Sequence, residues 1–183
     1  RREITIQSDK VTDDLTNFPV FVAVALDSAK VQTNGDDILF TGSDGTTKLD
    51  HEIEYYDGTT GDFVAWVKVP LLSSTADTVL YLFYGDSNIT TDQTNPGGVW
   101  GDDYAGVYHL DETPVDLGTH WDSTVPVNNG IWHDADGNGD TDAAGKIDGA
   151  DTLDGFDDYI ECGSGLLDGQ GDFSVEAWIN TTM

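Results

Sequence analysis

Apolar and polar residues alternate along most of this chain, and no stretch carries a convincing period of 3.6, so strands are predicted and helices are not. Arg2-Glu3-Ile4-Thr5-Ile6 alternates and predicts a first strand. Residues 18–26 (Phe-Pro-Val-Phe-Val-Ala-Val-Ala-Leu) are apolar throughout, the pattern of a strand covered on both faces. Ile38-Leu39-Phe40-Thr41 lies between two turn sequences, Asn34-Gly35-Asp36-Asp37 and Gly42-Ser43-Asp44-Gly45. Residues 49–56 and 62–69 predict a hairpin around Asp57-Gly58-Thr59-Thr60-Gly61. In its first arm Asp50, Glu52 and Glu54 would share one face, with His51, Ile53 and Tyr55 on the other. A symmetric turn would set Trp66 opposite Glu52 and Lys68 opposite Asp50. Residues 77–84 predict one more strong strand, ending at Gly85-Asp86.

Asn95-Pro96-Gly97-Gly98 is the best boundary in the chain and divides it into 1–95 and 96–183. Beyond it the predicted strands shorten and the loops grow longer and more acidic. Leu153-Asp154-Gly155-Phe156-Asp157-Asp158 predicts a tight glycine turn leading into the strand Tyr159-Ile160-Glu161-Cys162. Phe173-Ser174-Val175-Glu176-Ala177-Trp178-Ile179-Asn180 alternates cleanly and predicts another strand. A sheet ending there leaves an open edge, so further strands are expected from a continuing sequence or from another chain. The opening Arg1-Arg2, without an initiator Met or a signal peptide, reads as the start of a mature or excised fragment.

Charge changes the picture most. The chain carries 35 acidic and 7 basic residues, a net charge of −28, and only six of the acids are Glu. Asp favours turns and oxygen-ligand metal loops, so the excess points to a loop-rich β protein that binds Ca²⁺ or, equally, to a saline habitat. It excludes nucleic acid as a direct partner, and no apolar run is long enough for membrane insertion. The single cysteine, Cys162, cannot form an intramolecular disulfide and reads as a small buried strand residue.

Six segments carry a resemblance in the first part: Arg2–Ile6, Leu15-Thr16-Asn17-Phe18-Pro19-Val20, Gly35-Asp36-Asp37-Ile38-Leu39-Phe40-Thr41, Leu49-Asp50-His51-Glu52-Ile53-Glu54, Ala65-Trp66-Val67-Lys68-Val69-Pro70 and Leu82-Phe83-Tyr84-Gly85-Asp86. They resemble a bacterial and archaeal extracellular domain of unknown function found on large surface proteins and on proteins associated with the MotA/TolQ/ExbB group. The resemblance implies a β-sandwich and no established activity. In the second part, Gly106-Val107-Tyr108-His109-Leu110-Asp111-Glu112, the loop from Asp122-Ser123-Thr124 to Asn128-Asn129-Gly130, residues 149–161 and residues 171–179 resemble the first half of a laminin-G-like, concanavalin-A-like jelly roll. That resemblance implies glycan or protein binding, often with Ca²⁺, on a fold that also hosts hydrolases. The expected fold is therefore all-β, an antiparallel β-sandwich followed by a partial jelly-roll sandwich.

The strongest metal candidate by spacing is Asp134, Asp136, Asn138, Asp140 and Asp142, where oxygen side chains recur at alternate positions and Gly139 supplies a sharp bend. Gly145 stands where an EF-hand has its bidentate Glu, so an EF-hand is not expected. The alternative is a solvated acidic loop. Asp111 and Asp157 form a second candidate, because the jelly-roll resemblance places their segments on neighbouring strands; turn capping by Asp154 and Asp157 is the competing reading. Glu52, Glu54 and Trp66 combine carboxylates with an aromatic face, as a sugar platform would; the competing reading is an ion pair with Lys68 beside a packed Trp. The four histidines, 51, 109, 120 and 133, lack zinc-site spacing and read as strand or loop residues. No Gly-x-Ser-x-Gly elbow and no activated Cys appear, and i, i+2 glutamates stand side by side rather than across a glycosidic bond.

The expected function is thus non-catalytic: an extracellular or cell-surface module for adhesion or glycan binding, stabilised by Ca²⁺. The alternative is a structural subunit of a filament, sheath or surface layer, in which a neighbouring subunit pairs with an open sheet edge to form a homo-oligomer. A polysaccharide-active enzyme ranks third.

Overall fold

A computed structural model describes residues 1–101, 103–113, 115–134, 141–163, 166–167 and 171–181. The protein is all-β, apart from one short helix and a 3-10 turn among the described residues. It forms two compact units, Arg1–Trp100 and Gly101–Met183.

The first unit holds β1 (Arg2–Ile6), β2 (Leu15–Ala25), β3 (Leu39–Thr41), β4 (Lys48–Leu49), β5 (His51–Tyr56), β6 (Asp62–Leu72), β7 (Thr78–Phe83) and helix α1 (Pro96–Trp100). Two antiparallel sheets, ordered β1-β7-β3-β4 and β2-β6-β5, enclose one core. Strands β2 and β6 pair from Leu15↔Leu72 to Ala25↔Asp62. Alternation decides what each face meets. Phe63, Ala65, Val67 and Val69 of β6 point inward and are almost completely buried, against Phe40, Leu80 and Leu82 of the other sheet. Each such Val, Leu or Phe side chain contributes about 1.5–3 kcal/mol of transfer free energy. His51, opposite Val67, lies in the same core with its ring 5.3 Å from Phe40.

The hairpin forms as the pattern predicts. Glu52 sits opposite Trp66, and the Lys68 amide donates to the Asp50 carbonyl at 2.9 Å. Gly61 closes the turn at φ +83, and a Cβ there would lie 2.3 Å from the Leu26 carbonyl oxygen, so no other residue fits without moving backbone. Two expectations fail locally. A bulge between Ile53 and Tyr55 adds one residue to β5, so Tyr55 pairs with Val64 and is 39% exposed, while Tyr56 takes the inward place beside Phe63. Strand β2 is not covered on both faces: Phe18 and Phe21 are 41% and 42% exposed. Helix α1 starts at Pro96, which suits a first helical turn, and its Val99 and Trp100 are buried.

The second unit holds β8 (Thr119–His120), β9 (Gly130–His133), β10 (Thr141–Ala144), β11 (Gly149–Thr152) and β12 (Tyr159–Glu161). These make a three-stranded sheet, β12-β9-β8, and a two-stranded sheet, β10-β11. Trp132 of β9 is fully buried, 5.8 Å from the His120 ring. The loop between β8 and β9 is organised by Asp122. Its Oδ1 accepts the amides of Val107 (2.9 Å) and Thr124 (3.0 Å), and its Oδ2 accepts the Thr124 hydroxyl (2.7 Å) and the Asn128 amide (2.9 Å). Residues 173–180 form no strand: each is exposed, and none has a ladder partner among the described residues. Alternation alone does not make a strand, because the backbone needs a neighbour to bond.

Candidate metal centre

The turn before β12 gathers carboxylates. Gly155 at φ +84 lets the chain reverse, and Asp154 caps the turn, its Oδ1 accepting the Phe156 amide at 2.7 Å. Asp158 Oδ2 accepts the Asp154 amide at 2.5 Å. Asp154, Asp157 and Asp158 each present an oxygen, and these oxygens lie within 4.8 Å of one another. Asp158 Oδ1 is shielded from solvent and has no hydrogen-bond partner among the described residues. Because Asp157 and Asp158 sit in the turn and not on the strand, the alternation that would send them to opposite faces does not apply. Hard cations take such oxygen sets.

The sequence-derived candidates are distributed differently. Asp157 is grouped with Asp154 and Asp158, and no described cluster joins it to Asp111, which is exposed. Asp134 is 7% exposed, and its amide donates to Asp116 Oδ1 at 3.3 Å. Asp142 on β10 is exposed, accepts the Thr113 hydroxyl at 3.2 Å and stands opposite Asp151. Asp136, Asn138 and Asp140 lie outside the described residues.

A second constellation had no signal in sequence spacing. Glu112 Oε2 and His120 Nδ1 are 2.9 Å apart, and Glu112 Oε1 accepts the Trp121 amide at 2.7 Å. His120 Nε2 lies 3.4 Å from Asp151 Oδ2, and both side chains are 1% exposed. Burial, then the charges of Glu112 and Asp142, raise the Asp151 carboxyl to about 6 against the opposing pull of His120. The approach depends on Gly149, where a Cβ would meet the Leu110 carbonyl oxygen at 2.4 Å and Asp111 Cα at 2.6 Å. Backbone contact there brings the 110–112 segment onto β11.

In the first unit, Glu52, Glu54 and Trp66 are brought together, with an arrangement of their own. Trp66 Nε1 donates to Glu54 Oε2 at 2.8 Å, and Trp100 Nε1 donates to buried Glu52 Oε2 at 2.5 Å. Phe21, Trp66 and Trp100 form a row with successive ring centroids 5.3 Å apart. Lys68 gives its ammonium to the Gly98 carbonyl at 2.8 Å. The carboxylates thus fasten α1 and the aromatic row to the sheet.

The outward face of β12-β9 carries an exposed aromatic site. Tyr159, 53% exposed, stacks on His133 at 4.5 Å and 11°, and Glu161 Oε2 lies 3.2 Å from His133 Nε2. Cys162 follows β12 as a half-buried free thiol whose pKa is pushed up, chiefly by burial, so it is no activated nucleophile.

The fold and these sites define an acidic all-β protein of two units. Residues 34–124 match the family model described as a domain of unknown function (DUF2341). The match covers just under half the chain, from the turn before β3, across α1, to the loop after β8. It carries neither an association with the MotA/TolQ/ExbB group nor a laminin-G-like identification. No curated protein and no solved structure matches the chain.

Proposed function

We propose that this protein is a non-catalytic extracellular or cell-surface module for adhesion or glycan binding, with a second unit of laminin-G-like, partial jelly-roll kind stabilised by Ca²⁺. One observation carries the reading: the Asp154–Asp157–Asp158 turn runs directly into Tyr159, an exposed ring flanked by Glu161 and backed by His133. A sugar needs an apolar face to stack on and oxygen acceptors for its hydroxyls, and a bound cation beside the ring supplies further coordination. Glu52, Glu54 and Trp66 serve this reading as scaffold, because both carboxylates already accept indole N–H groups.

The test is thermal unfolding and glycan-array binding, with and without Ca²⁺. Extracellular Ca²⁺ modules bind with Kd of about 10⁻⁴–10⁻³ M, so 10 mM Ca²⁺ should stabilise by about 1.4–2.7 kcal/mol and raise Tm by several degrees. Asp157→Asn should remove that rise, and Tyr159→Ala should abolish glycan binding with Tm unchanged. A Tm indifferent to Ca²⁺, together with no glycan or cell surface bound, sinks the proposal.

A second reading, a structural subunit completed by strand exchange with a neighbour, is favoured by residues 173–179. Phe173, Val175 and Ile179 are 59%, 79% and 79% exposed and alternate as a strand would. An extended segment of this kind adds to an open sheet edge. A strict monomer by light scattering at high concentration, with and without Ca²⁺, excludes it.

A further inference from the structure

The outward face of β12 carries a charge that selects among sugars. Tyr159 and Glu161 are alternate residues of the strand, so both point outward, while Ile160 between them turns inward opposite buried Trp132. A rise of about 3.3 Å per residue sets their Cα atoms about 6.6 Å apart. One face of the Tyr159 ring rests on His133, and the residue is still 53% exposed. The carboxylates of Asp154, Asp157 and Asp158 lie in the turn that leads into the ring, and Phe156, 92% exposed, stands among them in sequence. Within 101–183 the sequence has a single Lys or Arg, Lys146, whose ammonium lies over the Trp178 ring at 6.0 Å. Among the described residues, no Lys or Arg forms an ion pair with Asp154, Asp158 or Glu161.

We infer that this face takes a basic glycan, a chain of unacetylated amino sugars, with one sugar ring on Tyr159 and its ammonium on Glu161. The inference rests on the glycan-binding reading of the same face and adds the class of sugar. A carboxylate only accepts hydrogen bonds, so His133 Nε2 donates to Glu161 Oε2 at 3.2 Å. Glu161 Oε1 has no partner among the described residues, and the side chain is 60% exposed. An ammonium beside a stacked sugar meets that oxygen through a charge-assisted hydrogen bond, and the open face of the tyrosine ring attracts the same positive charge.

Charge ranks the other ligand classes below this one. A uronic or sulfated chain would bring anions against Asp154, Asp157, Asp158 and Glu161. A neutral chain stacks on Tyr159 but leaves the Glu161 charge unanswered, and N-acetylation turns the ammonium into a neutral amide. A basic peptide carries the right charge, yet each lysine it fixes loses rotamer freedom, whereas a pyranose holds its ammonium rigidly beside the apolar face that stacks. A divalent ion in the turn neutralises only part of the charge, so Ca²⁺ there and an ammonium on Glu161 are compatible.

The full chain is titrated calorimetrically, in mildly acidic buffer that keeps sugar amines protonated, with five oligomers of equal length: chitosan, its fully N-acetylated form, β-1,4-glucose, a uronate and lysine. Chitosan should bind at least about 10-fold more tightly than the acetylated or glucose oligomer, and the uronate should not bind. Raising NaCl from about 0.1 M to about 1 M, which shortens the Debye length from about 10 Å to about 3 Å, should weaken chitosan binding by about 10-fold. Glu161→Gln should weaken it by about 5–10-fold and remove most of the preference over the acetylated oligomer. Asp103→Asn removes an exposed acid of the same unit that lies neither on β12 nor in its turn, and should leave the affinity unchanged. Equal affinity of wild type for the acetylated or glucose oligomer overturns the inference and leaves the glycan reading standing, with no variant needed; failure of every sugar oligomer to bind overturns both. Oligolysine bound as tightly as chitosan, with the same loss in Tyr159→Ala, overturns it in favour of a basic protein partner. It is equally overturned if Glu161→Gln, folded by near-UV circular dichroism, weakens chitosan binding no more than Asp103→Asn does.

Discussion

Asp122 shows how one side chain can specify a loop. It is 6% exposed, and burial pushes its pKa up, but the donors Thr124, Val107 and Asn128 outweigh burial and leave the carboxyl below its ordinary value. Asp122→Ala should strip four hydrogen bonds at once and leave several buried donors without an acceptor, at about 1–3 kcal/mol each before relaxation. Urea denaturation of the second unit should register a loss of several kcal/mol. His51 behaves oppositely in the first unit. Burial lowers its pKa from 6.5, so it folds as the neutral imidazole. Above pH about 6.5 it adds no penalty, because the unfolded histidine is neutral as well. Below that pH the unfolded state binds a proton that the folded core resists, and stability falls. The first unit of wild type should lose stability from pH 6.5 towards 5, and His51→Leu should flatten that limb.

At the scale of elements, α1 is held by its contacts and not by its length. It spans five residues, too few to persist alone. It is held by Trp100, whose indole N–H reaches Glu52 and whose ring meets Trp66, and by the Gly98 carbonyl, which accepts from Lys68. Trp100→Phe keeps an aromatic ring and deletes one hydrogen bond to the buried Glu52 carboxylate. A cost of about 1–3 kcal/mol is expected, and hydrogen exchange at β5 and β6 should accelerate. Glu52→Gln should cost less, since the amide oxygen still accepts. If both substitutions cost equally, the charge on Glu52 matters as much as the hydrogen bond. The bulge at Ile53/Tyr55 makes the same point in reverse, since one inserted residue moved Tyr55 outward and Tyr56 into the core.

For the whole molecule, a net charge of −28 works against compactness. The Debye length falls from about 10 Å at 0.1 M salt to about 3 Å at 1 M, so monovalent salt should raise Tm by screening alone. Ca²⁺ at matched ionic strength should raise it further if the turn at Asp154, Asp157 and Asp158 takes the ion. A Ca²⁺ curve that overlays the Na⁺ curve would leave screening as the whole effect. Acid should act in two stages: the His51 step begins below pH 6.5, and carboxylates held low by donors, such as Asp44 at about 2 and Asp122, lose their contribution only below pH 3.8.

The sequence by itself determined the all-β class, the β5-β6 hairpin with Glu52 opposite Trp66, and the glycine turn before Tyr159, because alternation and turn chemistry are local and survive reading one residue at a time. It also placed the acidic 134–142 stretch as a candidate, of which Asp134 and Asp142 are described. Only the tertiary structure decided the rest. Helix α1 has no periodic signal because its stability comes from burial of Val99 and Trp100. Residues 173–180 alternate like a strand but have no ladder partner among the described residues. Glu112, His120 and Asp151 are 8 and 31 residues apart along the chain, so no spacing rule joins them. A glycine at 149 does, by letting two backbones touch, and that contact brings a buried carboxylate, an imidazole and a second carboxylate into one line.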